Sequence, residues 1–96
     1  MKHLLIKITE AKVVKPYILK LRFDDGAEKE VDLEPVLKGK LLGPLKDKQL
    51  FNQVRVNPEV HTVEWPNGAD FDPSTLYQWE EVKDEFIEMA SRWEAA

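Results

Sequence analysis

Asp70 and Asp72 stand two residues apart, so on an extended segment both carboxylates lie on one face. A pair so placed could hold Mg²⁺ or Ca²⁺, or divide acid and base roles between its members. The neighbouring residues favour a simpler use. Pro73 follows Asp72, a combination suited to a helix N-cap with proline at the first helical position, and Asp70 lies beside a turn. Hard cations also need more oxygen ligands than this pattern offers. The remaining reactive side chains are sparse. His3 and His61 are the only histidines, and there is no cysteine, so a zinc site lacks its usual three or four ligands. Ser74 and Ser91 are the only serines, and neither sits in a G-x-S-x-G setting that would expose a nucleophile. No catalytic, metal or cofactor-binding residue is assigned, and the chain reads as a non-enzyme.

Two other groupings offer recognition rather than reaction. In Trp65-Pro66-Asn67-Gly68-Ala69-Asp70, exposed amides at Asn67 and Gly68 could cradle an anion or a peptide. Turn chemistry also accounts for these residue types, with Pro66 presetting the bend and Trp65 filling the core. Trp65, Asn67, Gly68 and Asp70 are therefore the candidate ligand turn. The second grouping is Trp79, Val82, Phe86, Met89 and Trp93, spaced 3, 4, 3 and 4 apart. That is an apolar stripe at helical period, among Glu80, Glu81, Lys83, Asp84 and Glu85. A ~20-residue helix spans about 30 Å, longer than a small sheet covers. The whole stripe could pack on the domain's own sheet, which needs a cover on one face. The alternative, carried into the expected function, is that the distal half, Phe86 to Trp93, reaches past the domain and forms a dimer or partner surface.

Lys38, Lys40, Lys46 and Lys48 form the densest basic cluster, with Asp47 inside it. No aromatic residue interleaves to stack on bases, so a solvated loop is expected and direct nucleic-acid binding is not. The chain carries 14 Lys and Arg against 18 Asp and Glu, a formal charge of -4, which also argues against a phosphate-backbone binder. Such a charge suits a basic protein partner.

The elements that must position these residues are those of a small α+β domain. Ninety-six residues allow one modest core and a single domain. Residues 6–14 are β-rich, with a change of phase near Glu10-Ala11 that predicts a bulge. Tyr17, Leu19, Leu21 and Phe23 share one face of a second strand, and Asp24-Asp25-Gly26 turns it into a third over residues 27–33. Pro35 opens a short helix that Gly39 is expected to end, and Asp47 caps a second. Residues 54–56 and 61–65 read as two further strands, the latter placing His61 in phase with Val63 and Trp65. The last helix is expected to run unbroken from Ser74 to about Glu94. The expected architecture is a twisted antiparallel sheet of about five strands, covered by two short helices and one long C-terminal amphipathic helix. Residues 1–77 form the core and 78–96 the helical extension. No apolar run approaches the length of a membrane span or a signal peptide, and a cytoplasmic location is expected.

The run from Val63 to Tyr77, VEWPNGADFDPSTLY, resembles the signature V-x-W-P-N-G-A-D-[LIF]-x-P-x-x-L-Y of a widespread bacterial domain of unknown function. Phe23-Asp24-Asp25-Gly26, the stretch Val31 to Leu37 and the stretch Gly43 to Phe51 agree with it in order and spacing. The resemblance covers about residues 8–77. It implies a small α+β domain without an established activity. Some members precede a helix-turn-helix domain, and others stand beside a second small protein in the manner of toxin–antitoxin pairs. Here a longer amphipathic helix follows Tyr77 in place of a helix-turn-helix. The expected function is thus a small interaction module, antitoxin-like, that uses its C-terminal helix for self-association or for a partner. The alternative is a ligand-binding or regulatory domain that uses the WPNGAD turn.

Overall fold

The structure, a computed structural model, describes residues 3–95. Strands β1 (Ile8–Lys15), β2 (Ile18–Phe23) and β3 (Glu28–Asp32) form an antiparallel meander in that order. Two 3-10 turns (Glu34–Val36 and Gly43–Lys46) alternate with short helices α1 (Gly39–Leu42) and α2 (Lys48–Phe51). A two-stranded ribbon of β4 (Arg55–Val56) and β5 (Val63–Glu64) leads to helices α3 (Pro73–Tyr77) and α4 (Trp79–Ala95).

The α+β class and the long C-terminal helix are as expected, but among the described residues there is no five-stranded sheet. Three strands form one sheet and two short ones another. The ribbon stays short because Asn57-Pro58 turns the chain and His61, at φ 57, takes a left-handed conformation incompatible with a strand. His61 is thus a loop residue, not a strand partner of Val63 and Trp65. Its carbonyl accepts the Ile8 amide at 2.8 Å, which ties the ribbon to β1.

Within the meander the alternation holds. Leu19, Leu21 and Phe23 are buried, and Lys20 and Arg22 face solvent. The expected bulge in β1 lies between Ile8 and Glu10, where one partner step on β2 spans two residues. It lets Ile8, Ala11 and Val13 all turn toward the core. Tyr17 does not belong to β2. It sits at φ 67 in the preceding turn, after Pro16, with its ring edge-on to Phe51 and its hydroxyl donating to the Lys46 carbonyl.

Gly39 begins α1 instead of ending the helix before it. At φ +82 it is the corner between the first 3-10 turn and α1. The expected helix over residues 74–94 is two helices that meet at Gln78. Its Nε2 donates to the Ser74 carbonyl at 3.1 Å and to the Ser74 hydroxyl at 3.0 Å, and its backbone departs from helical geometry at ψ 21. Asp72 caps α3 by accepting the Ser74 amide at 2.9 Å.

Corners throughout the chain share that device. Asp25, Asp32, Asp47, Asn57, Asn67 and Asp72 each accept the backbone amide two residues ahead. The core then closes along a row of rings. Tyr17, Phe51, Trp65, Phe71, Phe86 and Trp93 follow one another with centroids 5.4, 5.6, 6.0, 5.7 and 5.8 Å apart.

Candidate functional site

The WPNGAD turn is a bracket. Trp65 is buried, and its indole Nε1 donates to the Phe51 carbonyl at 2.9 Å. The Gly68 amide donates to the Trp65 carbonyl at 3.0 Å, and the Ala69 amide to Asn67 Oδ1 at 3.1 Å. Asn67 Nδ2 reaches 26 residues back to the Leu41 carbonyl at 2.9 Å and so holds the last turn of α1. Gly68 is needed for its φ of +91 and not for space, since nothing lies within 4 Å of an added Cβ. The Gly68 amide and both ends of the Asn67 carboxamide are thus engaged in holding the fold. An anion cradle at this turn, the alternative to a purely structural one, would have to form without them.

Asp70 and Asp72 do not act together. Asp72 is the α3 cap, with His3 Nδ1 4.0 Å from its second oxygen. Asp70 is exposed and pairs through its backbone with Glu64. No group of three or more His, Asp or Glu stands close enough for a metal among the described residues. Ser74 is fully buried, and its hydroxyl accepts the Leu4 amide at 2.9 Å.

The helical stripe divides along its length. Trp79 and Val82 are buried in the core, so they are not part of a free surface. Phe86 is half-buried, its ring tilted against those of Phe71 and Trp79. Met89 and Trp93 are 46% and 40% exposed. The boundary falls there because Ala90, fully buried between them, brings α4 close to its neighbours. A helix cut at Phe86 would therefore open the core, not merely trim an overhang.

The first residue of α1, Gly39, lies against Trp93, and α1 and the end of α4 together border an open groove of about 890 Å³. Its apolar lining includes Leu41, Phe86 and Trp93, and Leu41 is 49% exposed. Its charged residues are Lys38, Lys40, Lys46 and Asp70. Three of the four clustered lysines thus border an aromatic surface, and Lys48 lies apart against a second hollow beside Tyr17. Sequence reasoning missed Gly39 and Leu41 as groove residues. The only signal was the apolar pair Leu41-Leu42, of which one member had to face outward.

A second polar constellation lies away from the groove. Tyr77 donates its hydroxyl to Asp25 Oδ2 at 2.5 Å, and Lys29 Nζ sits 4.5 Å from the centre of the Tyr77 ring. The hydrogen bond from Tyr77 holds the Asp25 carboxyl below its ordinary range, helped by the Ala27 amide. The same bond pushes the Tyr77 hydroxyl above its own. On the ribbon, Arg55 Nε donates to Glu64 at 2.8 Å and keeps that carboxyl low.

Fold and site together define a small α+β domain in which α1 and the end of α4 flank an open, partly aromatic groove. The family described as "Protein of unknown function (DUF2442)" matches residues 8–82, and the chain belongs to it. That segment runs through the meander, the bracket and α3 and ends five residues before Ile87 in α4. No curated protein and no solved structure matches the chain. No helix among the described residues is long and apolar enough to cross a membrane.

Proposed function

We propose that this chain is a small, non-enzymatic protein-interaction module, and that a second protein chain docks in the groove between α1 and α4. One observation carries the reading. An aromatic stripe that begins fully buried at Trp79 ends half-exposed at Trp93, facing an equally exposed Leu41. Large apolar side chains grouped beside charged ones are the usual make-up of a docking surface. The contact residues are Phe86, Met89 and Trp93 from the stripe, joined by Leu41. An antitoxin-like role is the biological form of this function that the sequence resemblance suggests. The rival reading, a ligand at the WPNGAD turn, has less support because Asn67 and Gly68 already make structural bonds.

Site-specific photo-crosslinking in living cells tests the proposal. A benzophenone side chain at position 41 or 93 should give discrete protein adducts, including adducts with the chain itself. The same group at Lys20, on the outer sheet face, should not. Equal adduct patterns at all three positions, or none at 41 and 93, would reject the groove as a docking surface.

A further inference from the structure

We infer that the groove receives an acidic amphipathic helix of the partner protein, with its apolar side chains on Leu41 and Trp93 and its carboxylates against Lys40 and Lys46. The inference rests on the interaction reading above and names the chemistry of the partner. Charge supplies the first argument. Over the chain as a whole the formal charge is -4, which suits a basic partner. At the groove the sign is reversed. Its charged lining is Lys38, Lys40 and Lys46, with Asp70 the one carboxylate among the described residues. Lys40 and Lys46 are exposed, and neither forms an ion pair with Asp70 or with any other described residue. Both ammonium groups are therefore open to carboxylates from a partner, beside exposed apolar surface at Leu41 and Trp93.

The walls supply the second argument. Among the described residues the lining comes from α1, the turns on either side of it, Asp70 and α4. None of β1 to β5 contributes, so the groove offers no strand edge to an extended peptide. An apolar groove walled by helices receives an amphipathic helix, which lays its apolar face along the floor and keeps its charges at the rim. A lipid surface fits less well. A concave groove does not lie flat on a bilayer, and the negative charge of the rest of the chain is repelled by anionic headgroups.

Fluorescence anisotropy on the full chain with two short labelled helical peptides tests this. Both peptides carry leucines along one face; one has glutamates beside them and the other lysines at the same positions. The wild type should bind the glutamate peptide about tenfold or more tightly than the lysine peptide, with a preference that shrinks as salt is added. In a variant with Lys40→Glu and Lys46→Glu, shown by circular dichroism to be folded, the preference should reverse. A folded variant with Lys12→Glu and Lys20→Glu changes the net charge equally, at paired exposed positions of β1 and β2, and should keep the wild-type preference. Failure of the wild type to bind either peptide would overturn the inference. So would a preference that persists in the groove variant or reverses equally in the sheet variant. Displacement of the glutamate peptide by phosphatidylglycerol vesicles would also overturn it, in favour of a lipid surface. In any of these events, protein crosslinks from positions 41 and 93 would leave the interaction reading standing. Absence of any crosslink would remove both.

Discussion

A Cβ placed on Gly39 would come within 3.1 Å of the Cβ of Trp93, so the end of α4 lies directly against the backbone corner that opens α1. Both walls of the groove are set by that approach. Gly39 also holds φ at +82, so it meets two demands at once.

Gly39→Ala should therefore destabilise the domain by about 2–4 kcal/mol, combining left-handed strain with a close contact. Gly26→Ala and Gly68→Ala, where nothing lies within 4 Å of the added carbon, should cost only about 1–2 kcal/mol each. Urea denaturation of the three variants checks the order. Equal losses would mean that Trp93 does not pack as described.

The divided stripe predicts unequal roles for its two tryptophans. Trp79→Ala should lose about 3–5 kcal/mol, as for a large buried side chain. Trp93→Ala should lose about 1–2 kcal/mol, since part of its surface stays in water. Comparing the unfolding midpoints of these variants decides the matter, and a Trp93 loss as large as that of Trp79 would place the whole stripe in the core.

For Tyr77→Phe the prediction concerns pH. The Tyr77 hydroxyl titrates above its ordinary range, so its bond to Asp25 contributes below the usual tyrosine range and is lost as pH rises through the raised value. Asp25 titrates below its ordinary range, so the same bond contributes above the usual aspartate range and is lost as pH falls through the lowered value. The wild-type advantage in melting temperature should be greatest near neutrality and shrink at both extremes. A difference that is constant with pH would contradict this.

Trp65→Phe tests the bracket. It leaves the Phe51 carbonyl with only the 3.3 Å bond from the Val54 amide and opens space in the aromatic row. The expected loss is about 2–3 kcal/mol by chemical denaturation. A loss below that of an ordinary surface substitution would show that the indole bond is dispensable.

What was legible in the sequence followed from local chemistry. Alternation from Leu19 to Phe23, the Asp25-Gly26 turn, the bulge in β1 and the caps at Asp47 and Asp72 are each decided by residues within a few positions. The errors arose where a distant partner or a single backbone angle decides. His61 breaks the ribbon through its left-handed conformation, which is uncommon outside glycine and hard to foresee. Gln78 splits the last helix through its side-chain bonds to Ser74. The 3.6-residue period had no means of registering them, because the apolar stripe continues across the break. The groove depends on Asn67 reaching Leu41 and on Trp93 meeting Gly39, pairings that no local pattern announces.

The repeated Asx corners bear on how the molecule reaches this state. Each closes over a span of two residues, so each can form while the chain is still extended elsewhere and without waiting for a distant neighbour. The six bends thus narrow the directions open to the chain before its rings come together, and the conformational search falls chiefly on assembling that aromatic row.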